Sequence, residues 1–166
     1  MKKLILLSVL SAFVLLLFNT ITYAQNDLSF VSQSIDGNTF RLPVNELNSK
    51  AVRHFNNEFS FADNEKWFKI RDGFTVKFMA NDIQYRVGYN KKGNWVNTIK
   101  IYYEPEMPQS IRHLVKRAYY DYAITLIEEL AIKNQVTYII HIDNGIGFKK
   151  LLLADGEMTI MEEYSK

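Results

Sequence analysis

The stretch WFKIRDGFTVKFMANDIQYRVGYNKKGNWVNTIKIYY, Trp67 to Tyr103, decides the reading of the fold. Apolar residues alternate with polar ones in four runs: Phe68 and Ile70; Phe74, Val76 and Phe78; Ile83, Tyr85, Val87 and Tyr89; Trp95, Ile99 and Ile101. Asp72-Gly73, Asn81-Asp82 and Lys92-Gly93 separate the runs. Period-two alternation broken by such pairs predicts an antiparallel meander with one buried face.

Upstream, the pattern changes at Leu42-Pro43. Asn45 is placed as a helix cap, and Leu47, Ala51, Val52, Phe55 and Phe59 follow at helical spacing, with Asn48, Lys50, Arg53, Asn56 and Asn57 on the other side. This predicts an amphipathic helix of ~3 to 4 turns able to cover the sheet. Downstream, Pro108 stands where a first helical residue would, and Ile111, Leu114, Val115, Ala118 and Tyr122 form a second helical stripe. Strand-like runs then follow: Leu130 and Ile132; Val136 to Ile142; Ile146 to Leu152; Met158 to Tyr164.

The order of the first half recurs in the second. Val52 and Val115, Phe59 and Tyr122, Ile83 and Ile146, and Gly93 and Gly156 are all separated by one constant offset. The expected architecture is α+β, a tandem repeat of one helix plus about four antiparallel strands, with two helices packed on one face of an antiparallel sheet. The expected boundaries are 42–104 for the first unit and 105–166 for the second.

At the start of the chain, Lys2 and Lys3 precede an apolar run from Leu4 to Phe18, and Thr22-Tyr23-Ala24 places small residues at a cleavage site. Residues 1–24 therefore read as a signal peptide cut near Ala24, because the run falls short of the ~20 apolar residues that span a bilayer. The expected location is the periplasm or outside the cell, with no stable membrane span after cleavage. Residues 25–41 fit either a lead-in arm or an extra edge strand. Without Cys there is no disulfide framework and no thiolate chemistry. Cleavage removes Lys2 and Lys3 and no acid, which leaves basic and acidic residues in equal number, so no basic field gathers nucleic acid.

Trp67 to Tyr103, Gly93-Asn94-Trp95, Tyr119-Tyr120-Asp121-Tyr122, Asp155-Gly156-Glu157-Met158 and Glu162-Glu163-Tyr164 together resemble the PepSY-like, β-lactamase-inhibitor-like family of exported Bacteroidetes proteins. The resemblance covers roughly Leu42 to Lys166. It implies tandem helix-plus-four-strand units, export, and no known enzymatic activity. One departure is the absence of the Pro that often ends the family's first helix, since Ser60-Phe61 follows Phe59 here.

Parity then assigns a free face. If Phe74, Val76 and Phe78 face the helix, alternate residues face away. In the first unit this set is Trp67, Lys69, Arg71, Lys77, Met79, Arg86, Val96, Lys100 and Tyr102, which contains basic residues and no acid. In the second unit it is Ala131, Ile139, His141, Lys149, Leu151, Leu153, Met161, Glu157 and Glu163, apolar with an acidic end. A solvated sheet face with Lys and Arg stems lying over their neighbours is one explanation. The other is a partner-binding surface, because aromatic and Met residues among Arg enrich interface centres.

Other chemistry is thin. His54 and His113 fall on helices and form no cluster. His141 has no Ser or Cys nucleophile and no second His beside it, so no catalytic residue, metal site or cofactor is assigned. Asp121, Glu128 and Glu129 read as solvated surface, and Gly145-Ile146-Gly147 reads as a hairpin rather than a phosphate loop. The functional expectation is a non-catalytic exported module that binds an unknown envelope or secreted protein with its open sheet face. The alternative is a small-molecule or carbohydrate binder with a pocket near Tyr85, Tyr89 and Trp95.

Overall fold

The computed structural model describes residues 40, 41, 43 and 46–165. The expected signal peptide, 1–24, and all of the expected arm, 25–41, except Phe40 and Arg41 lie outside the described residues.

Alternation becomes a sheet through its turns. Among the described residues, nine strands follow one another in both sequence and space: β1 (Phe40–Arg41), β2 (Asp63–Ile70), β3 (Gly73–Ala80), β4 (Ile83–Asn90), β5 (Trp95–Tyr102), β6 (Ala123–Ile132), β7 (Gln135–Asp143), β8 (Gly147–Ala154) and β9 (Glu157–Ser165). All neighbours are antiparallel and the sheet is continuous among the described residues. Asn81 and Asp82 both take positive φ between β3 and β4, as do Asp155 and Gly156 between β8 and β9. Two such residues make the tight turn whose twist matches paired strands.

Helix α1 (Ser49–Glu58) precedes β2, and α2 (Gln109–Ala118) follows β5 after a 3-10 turn at Glu104–Glu106. The cap of α1 is Asn48 rather than Asn45, because the Asn48 side chain accepts a hydrogen bond from the Lys50 N–H at 3.0 Å. Pro108 sits one position ahead of the first helical residue, where it needs no N–H partner. Both helices end alike: the N–H of Phe59 donates to Phe55 O and that of Tyr119 to Val115 O, each at 2.8 Å. Phe59 therefore corresponds to Tyr119, not to Tyr122 as the constant offset suggested. Tyr122 lies beyond α2, and β6 begins at Ala123, well before the expected start at Leu130.

Both helices cover the same sheet face. Under α1, Phe55 meets Trp67 and Phe78 edge-on at 5.4 and 5.5 Å, and Trp67 stacks on Tyr89. Burying a side chain such as Phe55 contributes roughly 1.5–3 kcal/mol. Under α2, Val115 packs with Tyr102, Ile127, Ile140, Ile142, Leu151 and Leu153. Ile83 touches both clusters and joins the two cores.

Among the described residues, four bulges interrupt the ladders. They fall at Asn64-Glu65 in β2, Val96 in β5, Thr125 in β6 and Met161 in β9, each an extra residue against its partner strand. An extra residue reverses which side chains face the core beyond it.

Candidate functional site

Cross-strand register fixes which side chains share the face opposite the helices. Residues directly opposite in neighbouring strands point the same way. Val76 is in the α1 core, so its neighbour Lys77 faces away, and Lys77 is opposite Lys66 on one side and Arg86 on the other. The same row continues into Ile99 and Leu130. A parallel row carries Met79, Gln84, Ile101, Glu128, Ile139 and Leu152.

The structure divides the parity set between the two faces of the sheet. Lys77, Met79, Arg86 and Ile139 lie on the open face. Met79 is 65% exposed there, whereas Ile139 is buried. Arg71 is exposed in the turn between β2 and β3, and Met161 is the exposed bulge residue of β9. Trp67 and Lys69 face the helix side, because the short turn at Arg71-Asp72 sets Trp67 opposite Val76 and Lys69 opposite Phe74. Lys100 and Tyr102 also face the helices, since the Val96 bulge sets Lys100 opposite Tyr85. Leu151 and Leu153 are core residues under α2, opposite Ile140 and Tyr138. These two leucines therefore form no patch on the face opposite the helices: the loop 144–146 sets β8 so that Leu151 and Leu153 face the helices.

Sequence reasoning missed Lys66, Phe68 and Gln84. Phe68, expected on the buried face, lies on the face opposite the helices, with Lys77 Nζ 5.6 Å from its ring centroid. The missing signal was turn length, which counts residues back from Gly73 and gives Phe68 the parity of Thr75. With Asp63, Lys66, Lys77, Met79 and Gln84, Phe68 lines a shallow cavity of 460 Å³.

The electrostatics are uneven across this face. Among the described residues, no carboxylate makes an ion pair with Lys66, Lys77 or Arg86. Burial, and then the Arg86 charge, push the Lys77 ammonium below its ordinary pKa. Farther along, Glu128 and His141 Nε2 lie 3.2 Å apart. That hydrogen bond holds the Glu128 carboxyl below its ordinary range, with smaller help from Lys150 and Arg86 and against the effect of burial.

On the helix side, Glu129 is buried and accepts from Tyr102 Oη and Lys100 Nζ, both at 2.7 Å. Burial first, then the bond to Glu129, raise the Tyr102 hydroxyl far above its ordinary pKa. The space near Tyr85, Tyr89 and Trp95, expected as a small-molecule pocket, is filled. Tyr85 stacks on Phe78 at 4.6 Å, Tyr89 Oη lies 3.1 Å from His54 Nδ1, and the His54 ring stacks near Trp95. Among the described residues, no group of three or more His, Cys, Asp or Glu side chains is placed to hold a metal ion. No helix among them is long and apolar enough to cross a membrane.

No known protein family profile matches this chain. No curated protein matches it either. Solved structures share its fold at low identity. A BLIP-like protein from Bacteroides fragilis superimposes with a TM-score of 0.57 at 14% identity, over 75% of this chain and 87% of that one. A DUF2874 family protein from Bacteroides ovatus does so at 0.54 and 14%, over 72% and 87%. A protein of Bacteroides eggerthii, provisionally described as periplasmic, does so at 0.54 and 14%, over 72% and 88%. The likeness is one of fold: two helices on an open antiparallel sheet.

Proposed function

We propose that this chain is an exported, non-catalytic binding module that takes a protein partner on the sheet face opposite its helices. The observation that carries this reading is the open-face row Lys66, Lys77 and Arg86, directly opposite one another with no paired acid among the described residues. Like charges facing each other across strands cost stability, so a sheet face built only for solvation has no reason to align them. Beside them, Met79 stands 65% exposed.

The fold neighbours support the same reading, as BLIP-like and DUF2874 proteins. Export to the periplasm or beyond, after cleavage near Ala24, follows from the N-terminal sequence and agrees with the eggerthii neighbour's description. We read the body as a duplication, 42–104 and 105–166. Each part is one helix plus four strands, and the matching helix ends at Phe59 and Tyr119 support it. Membership of the PepSY-like, β-lactamase-inhibitor-like family is part of the same proposal.

The test is charge reversal. Lys66→Glu, Lys77→Glu and Arg86→Glu together should abolish capture of the partner from the native envelope, with the melting curve still cooperative. Lys69→Glu, on the helix side, should leave capture intact. Equal loss with Lys69→Glu, or no loss with the triple variant, refutes the reading.

A further inference from the structure

We propose that the row Lys66, Lys77 and Arg86 is the seat of an acidic segment of the partner, with carboxylates on the cations and a neighbouring apolar side chain on Met79 and Phe68. This rests on the open-face reading and adds the chemistry of what that face takes.

The lysines on strands β5 to β9 are matched to acids. Lys100 is opposite Glu129, Lys149 opposite Glu163 and Lys150 opposite Glu162, and each of these pairs forms an ion pair. Cross-strand neutralisation is thus the pattern from β5 to β9. The row on β2 to β4 breaks it, with a cation opposite a cation twice in succession. Like charges directly opposite one another destabilise the pairing, and an outside carboxylate relieves that cost. Burial first, and then the Arg86 charge, lowers the Lys77 pKa, and no carboxylate among the described residues pairs with Lys77. Glu128 lies within electrostatic reach of Arg86 but is hydrogen-bonded to His141. Asp63 lines the same cavity, opposite Met79, and makes no ion pair with these cations.

Size selects the occupant. Adjacent strands lie about 4.8 Å apart, so the three cations span about 10 Å, whereas acidic side chains two residues apart on an extended segment stand about 7 Å apart. Two carboxylates of one segment therefore fit within the row, while a single phosphate is too compact to reach both ends. The cations also lie in the middle of strands, whose ladders engage the backbone N–H groups that would cradle a phosphate. The cavity's apolar wall, Phe68 with Met79, suits a side chain next to the acids.

Binding of the chain to three probes tests this: a peptide alternating Glu and Leu, the same peptide with Lys for Glu, and inorganic phosphate. The Glu peptide should bind, weaken with added salt, and lose about tenfold or more in affinity with Lys66→Gln, Lys77→Gln and Arg86→Gln together. Lys66→Arg with Lys77→Arg should restore it. Equal binding of the Lys peptide, phosphate competing at the peptide's own affinity, or an unchanged triple variant overturns the proposal. Self-association that the triple Gln variant abolishes also overturns it, in favour of a second copy as occupant. A photo-crosslinker at Met79 separates this failure from that of the underlying reading. Crosslinks to an envelope protein that persist in the triple Gln variant leave the open face as a binding surface and refute its acidic occupant. No crosslink in either form refutes the surface, while the peptide result still decides the chemistry.

Discussion

The carboxamide oxygen of Asn48 occupies the place that a methyl group on Gly93 would need. The same side chain caps α1 through Lys50 N and donates from Nδ2 to Lys91 O at 3.3 Å, so it fastens the β4–β5 turn to the start of the helix. Gly93 has φ 76°, a region that strains any side chain.

We expect Gly93→Ala to destabilise the protein by about 2–4 kcal/mol, from strain and overlap together. Gly145 has φ 85° but no atom within 4 Å of an added Cβ. Gly145→Ala should cost only about 1–2 kcal/mol, the strain alone. Urea unfolding of both variants isolates the contact with Asn48, and equal losses would show that it contributes nothing.

Glu129→Ala should cost about 2–4 kcal/mol. It leaves the buried Tyr102 hydroxyl without its acceptor and Lys100 without its counter-ion. Tyr102→Phe in the same chain should lessen that loss, since both halves of one bond are then absent. A double-mutant cycle by chemical denaturation reads the coupling; strict additivity would rule it out.

Acid should weaken the fold through Glu128. Its carboxyl is held below the ordinary 4.5, chiefly by the bond to His141, so the stabilisation is present above that value and is lost as pH falls through the lower folded-state value. Glu128→Gln should flatten the fall in unfolding midpoint below pH 4.5. An unaltered profile would place acid sensitivity elsewhere.

Lys77→Met should raise Tm at neutral pH. The Lys77 pKa is depressed below 10.5 by burial and by Arg86, so folding favours the uncharged form and the ammonium is a cost at pH 7. The Met side chain keeps an apolar contact on the Phe68 ring now under Lys77 Nζ. A lower Tm would mean that the cation over that ring is worth more than its desolvation.

Strand order and helix positions were legible in the sequence, because alternation, amphipathic stripes and turn pairs are local. Asn81-Asp82 and Asp155-Gly156 announced tight turns, and the strands follow them. The faces were legible only in part. Lys77, Met79 and Arg86 came out right because β3 and β4 pair through their central residues without a bulge. Trp67, Lys100, Tyr102, Leu151 and Leu153 did not, since β2 and β8 carry apolar side chains on both faces and Val96 offsets β5.

The sequence by itself determined that this chain folds into helices and antiparallel strands, since those depend on neighbours a few positions away. Only the tertiary structure decided that Lys66, Lys77 and Arg86 stand side by side while Lys100 is matched to Glu129. A strand shows two faces at every step, and which one meets the helices depends on turn lengths and single extra residues. Those are settled when whole strands pair.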